Sequence, residues 1–291
     1  MRKGIFINFG FEMDTRSRID LIRKTGFDSV MVWFGAGDEK ETVDYAREQG
    51  LYVSNAHLPF KNINRIWEDG EDGDAMTDNF CRLVRLCGEL SVPVAVFHVS
   101  STFTPPPFGE LGIARISRVV KAAEECGVDI AFENLRRLDY LKYVYDNIPS
   151  KRAKFCFDCG HHNYLCPDAD LFSMYGNRLV AIHLHDNFGD YDWHMLPFDG
   201  NVDFDMVTKG LHSIGYEGPI SLEVHQDVHE MYKDYTAKRF VTEAYERAVR
   251  IEKMMNFASE DPTSSVTAYA VPTSPPSEGF RCGGLAQRQK S

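Results

Sequence analysis

The sequence predicts an α/β fold, a single (β/α)8 barrel of the TIM type. Three observations predict it: eight short runs rich in Val, Ile and Phe, amphipathic stretches alternating with them, and metal-capable residues at the ends of the runs. Parallel strands covered on both faces read as continuous apolar runs, and helices between them supply that cover. Eight such units in a row favour closure into a barrel over an open doubly wound sheet. The 291 residues hold one barrel of about 250 residues with a tail to spare.

The expected strands lie at residues 4–9, 29–34, 51–57, 94–98, 129–133, 154–158, 179–185 and 219–223. Helical patterns fill the intervals at 15–25, 39–49, 74–90, 111–126, 140–147, 170–175 and 204–214, and a long final helix follows over about 236–256. Gly26, Gly50, Gly127, Gly176 and Gly215 each stand just before a strand, where a helix is expected to stop. From residue 258 the texture changes: the stretch is proline-bearing and lacks periodicity. Residues 1–257 are therefore expected to form the barrel and 258–291 a disordered tail.

Composition narrows the function class. Hydrophobic residues at 43% and charged residues at 26% suit a soluble globular protein with a sizeable core. No apolar run approaches the ~20 residues that span a bilayer, and Asp14 interrupts any signal-peptide core, so a cytoplasmic location and no membrane partner are expected. A net charge of −11 disfavours nucleic acid as a partner, although a bound metal reverses the local field. An oligomer of identical chains is left open. The seven cysteines, an odd number, are expected to be reduced thiols. Cys156 and Cys159 have the spacing of a redox or zinc pair but no partner pair, and they read as packing and a strand-end turn.

The polar residues fall where a barrel does its chemistry. The third strand ends at His57, the fourth at His98, the fifth at Glu133, the sixth at Asp158 and the eighth at Glu223; the seventh carries His183 and His185 on one face. Carboxyl strand ends converge on the top of the barrel. A single strand-end His often only bonds a loop carbonyl, and a single Asp often caps the next helix. A shared site explains them together. Carboxylates and imidazoles suit Mn²⁺, Zn²⁺, Co²⁺ or Fe²⁺ better than Ca²⁺, with Mg²⁺ also compatible. Carboxylates converging without a cation would repel, and one would have to keep a proton.

These residues spell motifs: H-x-P-F at His57, E-N at Glu133, D-x-G-H from Asp158 to His161, H-L-H-D at His183, D-x-H-x-x-P-x-x-G from Asp192 to Gly200, and L-E at Glu223. In this order the sequence resembles the xylose-isomerase-like barrel superfamily, in its sugar phosphate isomerase/epimerase branch, which also includes endonuclease IV. The resemblance spans about residues 4–255. It implies that Glu133, Asp158, His183 and Glu223 match the metal ligands of ketose 3-epimerases and inosose isomerases. It also implies that His161 contacts substrate, and that His185 either supports a ligand or contacts substrate. The wider three-zinc set of endonuclease IV is matched too, by His57 and His98 at one added site and by His161, Asp192 and His194 at the other.

Two reactions follow. The favoured one is isomerisation or epimerisation of a ketose or keto-polyol through an enediolate, with Glu133 and Glu223 as the acid–base pair and one divalent metal (Mn²⁺, Co²⁺, Zn²⁺ or Mg²⁺) as cofactor. The alternative is a metal-dependent phosphodiesterase acting on abasic DNA. Against it stand the acidic balance and the loop after the second strand, WFGAGDEKE, which offers little basic charge to a phosphate backbone. The loops after the seventh and eighth strands lack a glycine-rich turn and are acidic, so an unphosphorylated sugar is expected. Phe60, Trp67, Phe108, Tyr164, Phe188 and Trp193 are candidates to line the sugar, about half of them as plain loop packing. Lys61, Arg136 and Arg137 read as surface charges rather than substrate contacts.

Overall fold

A computed structural model describes residues 1–258. The stretch read as a tail lies, from residue 259 on, outside the described residues. Eight parallel strands, β1 (Lys3–Phe6), β2 (Ser29–Trp33), β3 (Tyr52–His57), β4 (Val94–Phe97), β5 (Asp129–Glu133), β6 (Ala153–Asp158), β7 (Leu179–His183) and β8 (Ile220–Leu222), form one sheet in the order β7-β6-β5-β4-β3-β2-β1-β8. The ends of that order meet through a single parallel bridge, Leu184 to Leu222. Two hydrogen bonds hold this seam, Leu184 N–H to Ser221 O at 2.9 Å and Glu223 N–H to Leu184 O at 3.1 Å. The result is a nearly closed barrel.

Nine helices occur among the described residues: α1 (Thr15–Thr25), α2 (Glu39–Glu48), α3 (Glu71–Glu89), α4 (Glu110–Cys126), α5 (Leu138–Asn147), α6 (Cys159–Leu165), α7 (Leu171–Tyr175), α8 (Phe204–Ser213) and α9 (Ala237–Ala258). The sequence pattern anticipates all of these but α6, and it misses the 3₁₀ turns at Ile63–Trp67, Gly176–Arg178 and Glu230–Tyr232. All four are one- or two-turn elements, too short to show a 3.6-residue period. Aspartates start several helices by accepting a backbone N–H three residues on, as Asp14 does from Ser17 at 2.9 Å and Asp203 from Met206 at 2.9 Å. Gly26 and Gly127 close α1 and α4 in the left-handed conformation, with φ of 118° and 75°. Gly176 departs from that expectation. Its φ is −56°, and it leads into a 3₁₀ turn; a Cβ there would lie 2.7 Å from Ile214 Cγ2, so close approach of α8 explains the glycine.

Alternation along the strands divides the core. Phe97, Phe132, Phe155 and Phe157 face out into the layer between sheet and helices and are at most 1% exposed. Burial of each such ring stabilises by roughly 1.5–3 kcal/mol. Val94, Val96, Ala131, Cys156 and Ala181 face in and pack with one another inside the barrel. The residues of this inner cluster are small. The polar strand ends sit directly above it.

Candidate metal centre in the barrel mouth

Strand register brings the polar residues to one level. Glu133 is paired with Cys156, Asp158 with His183, and Trp33 with His57. Paired residues of parallel strands point to the same side, so Glu133, Asp158, His183 and His57 all enter the mouth. Side-chain hydrogen bonds refine the placement. Asn134 Nδ2 donates to Asp158 O and Asn134 Oδ1 accepts from Asp158 N–H, both at 2.8 Å, which clamps the tops of β5 and β6 together. Here lies the physical content of the E-N motif, and a residue to which the sequence reading assigned no part.

The four residues read as ligands converge on the Nδ1 atom of His183. Glu223 Oε2 lies 3.0 Å from it, Glu133 Oε1 3.7 Å and Asp158 Oδ2 4.0 Å. All four side chains are buried, none more than 9% exposed. Glu133 is the hub: its Oε2 is 3.0 Å from His98 Nε2 and 3.4 Å from His57 Nε2, and its Oε1 is 3.0 Å from His161 Nδ1. The outer residues form two further groups whose donor atoms lie within 4.8 Å of one another, His57–His98–Glu133 and His161–Asp192–His194. Every residue singled out from the sequence as a candidate metal ligand therefore reaches this mouth.

Several of these atoms have no protein partner. Glu133 Oε1, His161 Nδ1, His183 Nδ1 and Asp192 Oδ1 are buried without a hydrogen bond of acceptable geometry. Orphaned buried polar atoms are costly, at about 1–3 kcal/mol each, and here they belong to one linked cluster of side chains. Carboxylate oxygens and imidazole nitrogens without a structural set of thiolates are the donors of a catalytic divalent cation. The residues present fit such a group.

Burial raises the electrostatic stakes. It favours the neutral acid at Glu133, but His98 and His183 override it and hold that carboxyl well below the usual range. Glu223, though also buried, is lowered chiefly by His183, and Asp192 chiefly by His161. The imidazoles shift in the opposite direction. Burial works against their charge, yet Asp158 and Asp192 hold His161 well above its ordinary value, and Asp192 lifts His194 to about 9. His98 goes down, because burial outweighs Glu133.

Orientation of the rings is set from outside the mouth. His57 uses Nδ1 on Leu58 O at 2.9 Å and His194 uses Nδ1 on Glu223 O at 2.8 Å, which leaves both Nε2 atoms facing carboxylates. His185 is wholly buried and holds both oxygens of Asp158 through Nε2, at 3.0 and 3.1 Å. Its position suits support of Asp158. Gly160 makes room for it, since a Cβ there would fall 2.0 Å from His185 Cε1. Asp158 also caps α6, accepting His161 N–H at 2.6 Å, so the capping and site readings hold together.

The loop after β7 carries Asp192 and His194 and is tied down by Asp186, which is fully buried. Asp186 accepts backbone N–H bonds from Asn187 at 2.9 Å, Phe198 at 2.8 Å and Val202 at 2.9 Å. Gly200 is required because a Cβ would meet Asn187 O at 2.3 Å. His194 itself is held at φ 44°, a left-handed value for a non-glycine residue. Asp186 was legible only as the last letter of H-L-H-D; nothing in the sequence tells a loop anchor from a ligand.

The aromatic candidates separate. Phe60 stacks on His98, with ring centroids 4.5 Å apart, and Trp33, which the sequence reading passed over, stacks on His57 at 5.4 Å. Phe188 and Trp193 flank His229 at the rim. Tyr164 meets Phe103 at 6.4 Å, and Arg136 lies over the same Phe103 ring. Trp67 is packing, not lining: it is 6% exposed, donates its indole N–H to Val99 O at 2.7 Å, and covers Gly112. Phe108 stacks on Tyr143, away from the histidines.

A family model described as a xylose isomerase-like TIM barrel matches residues 19–246. The protein y4fM of Sinorhizobium fredii is similar at 30% identity over 294 aligned positions, covering 86% of this chain and 92% of its own. Among solved structures, D-psicose 3-epimerase from Clostridium cellulolyticum H10 superposes with a TM-score of 0.72 at 18% identity, over 88% of this chain and 99% of its own. D-allulose 3-epimerase from a Methylomonas species does so with a TM-score of 0.70 at 17% identity, over 86% and 98%. At such identities the structural likeness speaks for the fold.

Proposed function

The chain belongs to the xylose isomerase-like TIM barrel family, and from that premise we propose that it is a divalent-metal-dependent sugar isomerase or epimerase acting on an unphosphorylated ketose or keto-polyol. The observation that carries this reading is the approach of Glu133, Asp158 and Glu223 to within 4.0 Å of one nitrogen of His183. Glu133, Asp158, His183 and Glu223 would hold Mn²⁺, Co²⁺, Zn²⁺ or Mg²⁺. Bound there, such a cation would supply Lewis-acid stabilisation to negative charge developing on substrate oxygen.

The protein's own groups do the rest. Glu133 and Glu223 come from β5 and from the end of β8, and both are held ionised, so either can take a proton from carbon beside a carbonyl. Removal by one and return by the other on the opposite face is epimerisation; return to the neighbouring carbon is isomerisation. His161, held well above its ordinary value between Glu133 and Asp192, would turn from one of these carboxylates to hydrogen-bond a substrate oxygen. Phe60 and Trp33, stacked on the mouth histidines, offer apolar faces that exclude water from the enediolate. D-psicose and D-allulose 3-epimerases share the barrel, which fits a free ketose.

The test is proton exchange. With Mn²⁺ and a panel of free ketoses and inososes in D2O, deuterium should appear on the carbon beside the carbonyl, and Glu133→Gln and Glu223→Gln should both lose it by about 10²–10⁴-fold. Cation affinity of each variant is measured alongside, since both also lose a ligand charge. The groups His57–His98–Glu133 and His161–Asp192–His194 keep a second reading alive, a three-cation phosphodiesterase for abasic DNA. No exchange on any sugar, together with duplex cleavage that depends on His57, would replace the first reading with the second.

A further inference from the structure

The sequence leaves Cys156 without a function, and the fold gives it an unusual position. Cys156 lies in β6, two residues before Asp158 and on the same inward face. It pairs with Glu133 on β5 and Ala181 on β7 and is fully buried. The apolar residues that pack with it inside the barrel are Val94, Val96, Ala131 and Ala181. Its sulfur, a carboxylate oxygen of Glu133 and a ring nitrogen of His183 lie within 4.8 Å of one another. Glu133 Oε1 and His183 Nδ1 are among the buried atoms that lack a partner.

We propose that Glu133, Cys156 and His183 form a second, softer cation seat at the floor of the mouth, selective for strongly thiophilic divalent ions such as cadmium. The inference rests on the reading of Glu133 and His183 as metal ligands and adds to it a sulfur donor. Oxygen-preferring cations have no use for the thiol and stay with Glu133, Asp158, His183 and Glu223. A thiophilic ion is drawn down toward sulfur. Binding forms one metal–sulfur bond and breaks the S–H bond, and the proton leaves to solvent; no electron is transferred. Because Glu133 and His183 serve both seats, the two ions exclude each other. Cadmium therefore inhibits by displacing the working cation, and this sensitivity is a property of one residue.

The experiment titrates the full-length metal-free protein with cadmium chloride and, separately, manganese chloride. Cadmium should produce ultraviolet sulfur-to-cadmium charge-transfer absorption that saturates at one equivalent and is lost in both Cys156→Ser and Cys156→Ala. Loss of that ligand should weaken cadmium binding by at least about 10–100-fold, the range seen even for outer supports of a metal site, and leave manganese affinity unchanged. Circular dichroism and retained manganese binding show that the variants are folded, and two variants guard against one that fails to fold. Cadmium bound without the absorption, or absorption that persists in both variants through another cysteine, overturns the proposal while leaving the manganese site standing. Failure of the wild-type protein to bind either ion overturns both the proposal and the metal-centre reading beneath it.

Discussion

Adding one methyl group at Gly160 should damage the centre without touching a candidate ligand. A Cβ at this position would lie 2.0, 2.4 and 2.7 Å from Cε1, Nδ1 and Nε2 of His185. Carbon atoms settle about 3.5–4.0 Å apart, so the ring would have to retreat by roughly 1.5 Å. It has nowhere to go: His185 is fully buried, and its Nε2 is 3.0–3.1 Å from both oxygens of Asp158. Overpacking of this kind costs about 1–3 kcal/mol. A shift near 1 Å in a supporting group can cost about 10²-fold in rate. Gly160→Ala should therefore lower the thermal midpoint of the metal-free protein, weaken Mn²⁺ binding by about 10–100-fold, and slow exchange by a similar factor. Calorimetry for cation affinity and a thermal melt at matched pH are sufficient assays. Removing the obstructing ring should relieve the clash, so Gly160→Ala with His185→Ala should be more stable than the sum of the single changes by about 0.5–3 kcal/mol. A Gly160→Ala protein with wild-type midpoint and affinity, or strict additivity in the double variant, would refute the packing argument.

Other outcomes follow from the same geometry. Chelation should abolish turnover and lower the thermal midpoint modestly, as loss of a ligand of the folded state does; full activity after exhaustive chelation would remove the metal from the mechanism. Asn134→Ala strands the buried backbone N–H of Asp158 and removes a donor from its C=O, and should cost about 1–3 kcal/mol, read from the denaturant midpoint, with weaker cation binding. In metal-free protein His194 is raised to about 9, so its contribution is fully present below about pH 6.5, the ordinary imidazole value, and is lost as pH rises through about 9. The metal-free thermal midpoint should fall across that interval, and a shallower slope in His194→Ala than in wild type is the check, since the raised His161 keeps its own contribution. Deletion of residues 261–291 should leave midpoint and turnover unchanged, and heavy loss of soluble protein would count against the assignment of the barrel to residues 1–257.

The order of elements was legible along the chain because its causes are local. Apolar runs at 29–34, 94–98 and 129–133 are strands covered on both faces, and glycines after α1 and α4 are the stops a left-handed turn demands. The candidate site was legible for a related reason: a barrel brings successive strand ends to one mouth, so listing what stands at residues 57, 98, 133, 158, 183 and 223 already lists its contents. Their mutual arrangement was another matter. That His183 Nδ1 faces three carboxylates, that His185 serves Asp158 from full burial, and that Cys156 lies beside Glu133 all depend on register between strands far apart in sequence. The same holds for Asn134, Asp186, Gly160 and Gly200, whose roles are hydrogen bonds and close approaches across 12 to 27 residues. Residue type and spacing report what a segment does with its own neighbours. Which atoms point at one another across a closed sheet is decided only when the strands pair, and there the tertiary structure turned a set of polar strand ends into a centre with a hub, supports and a floor.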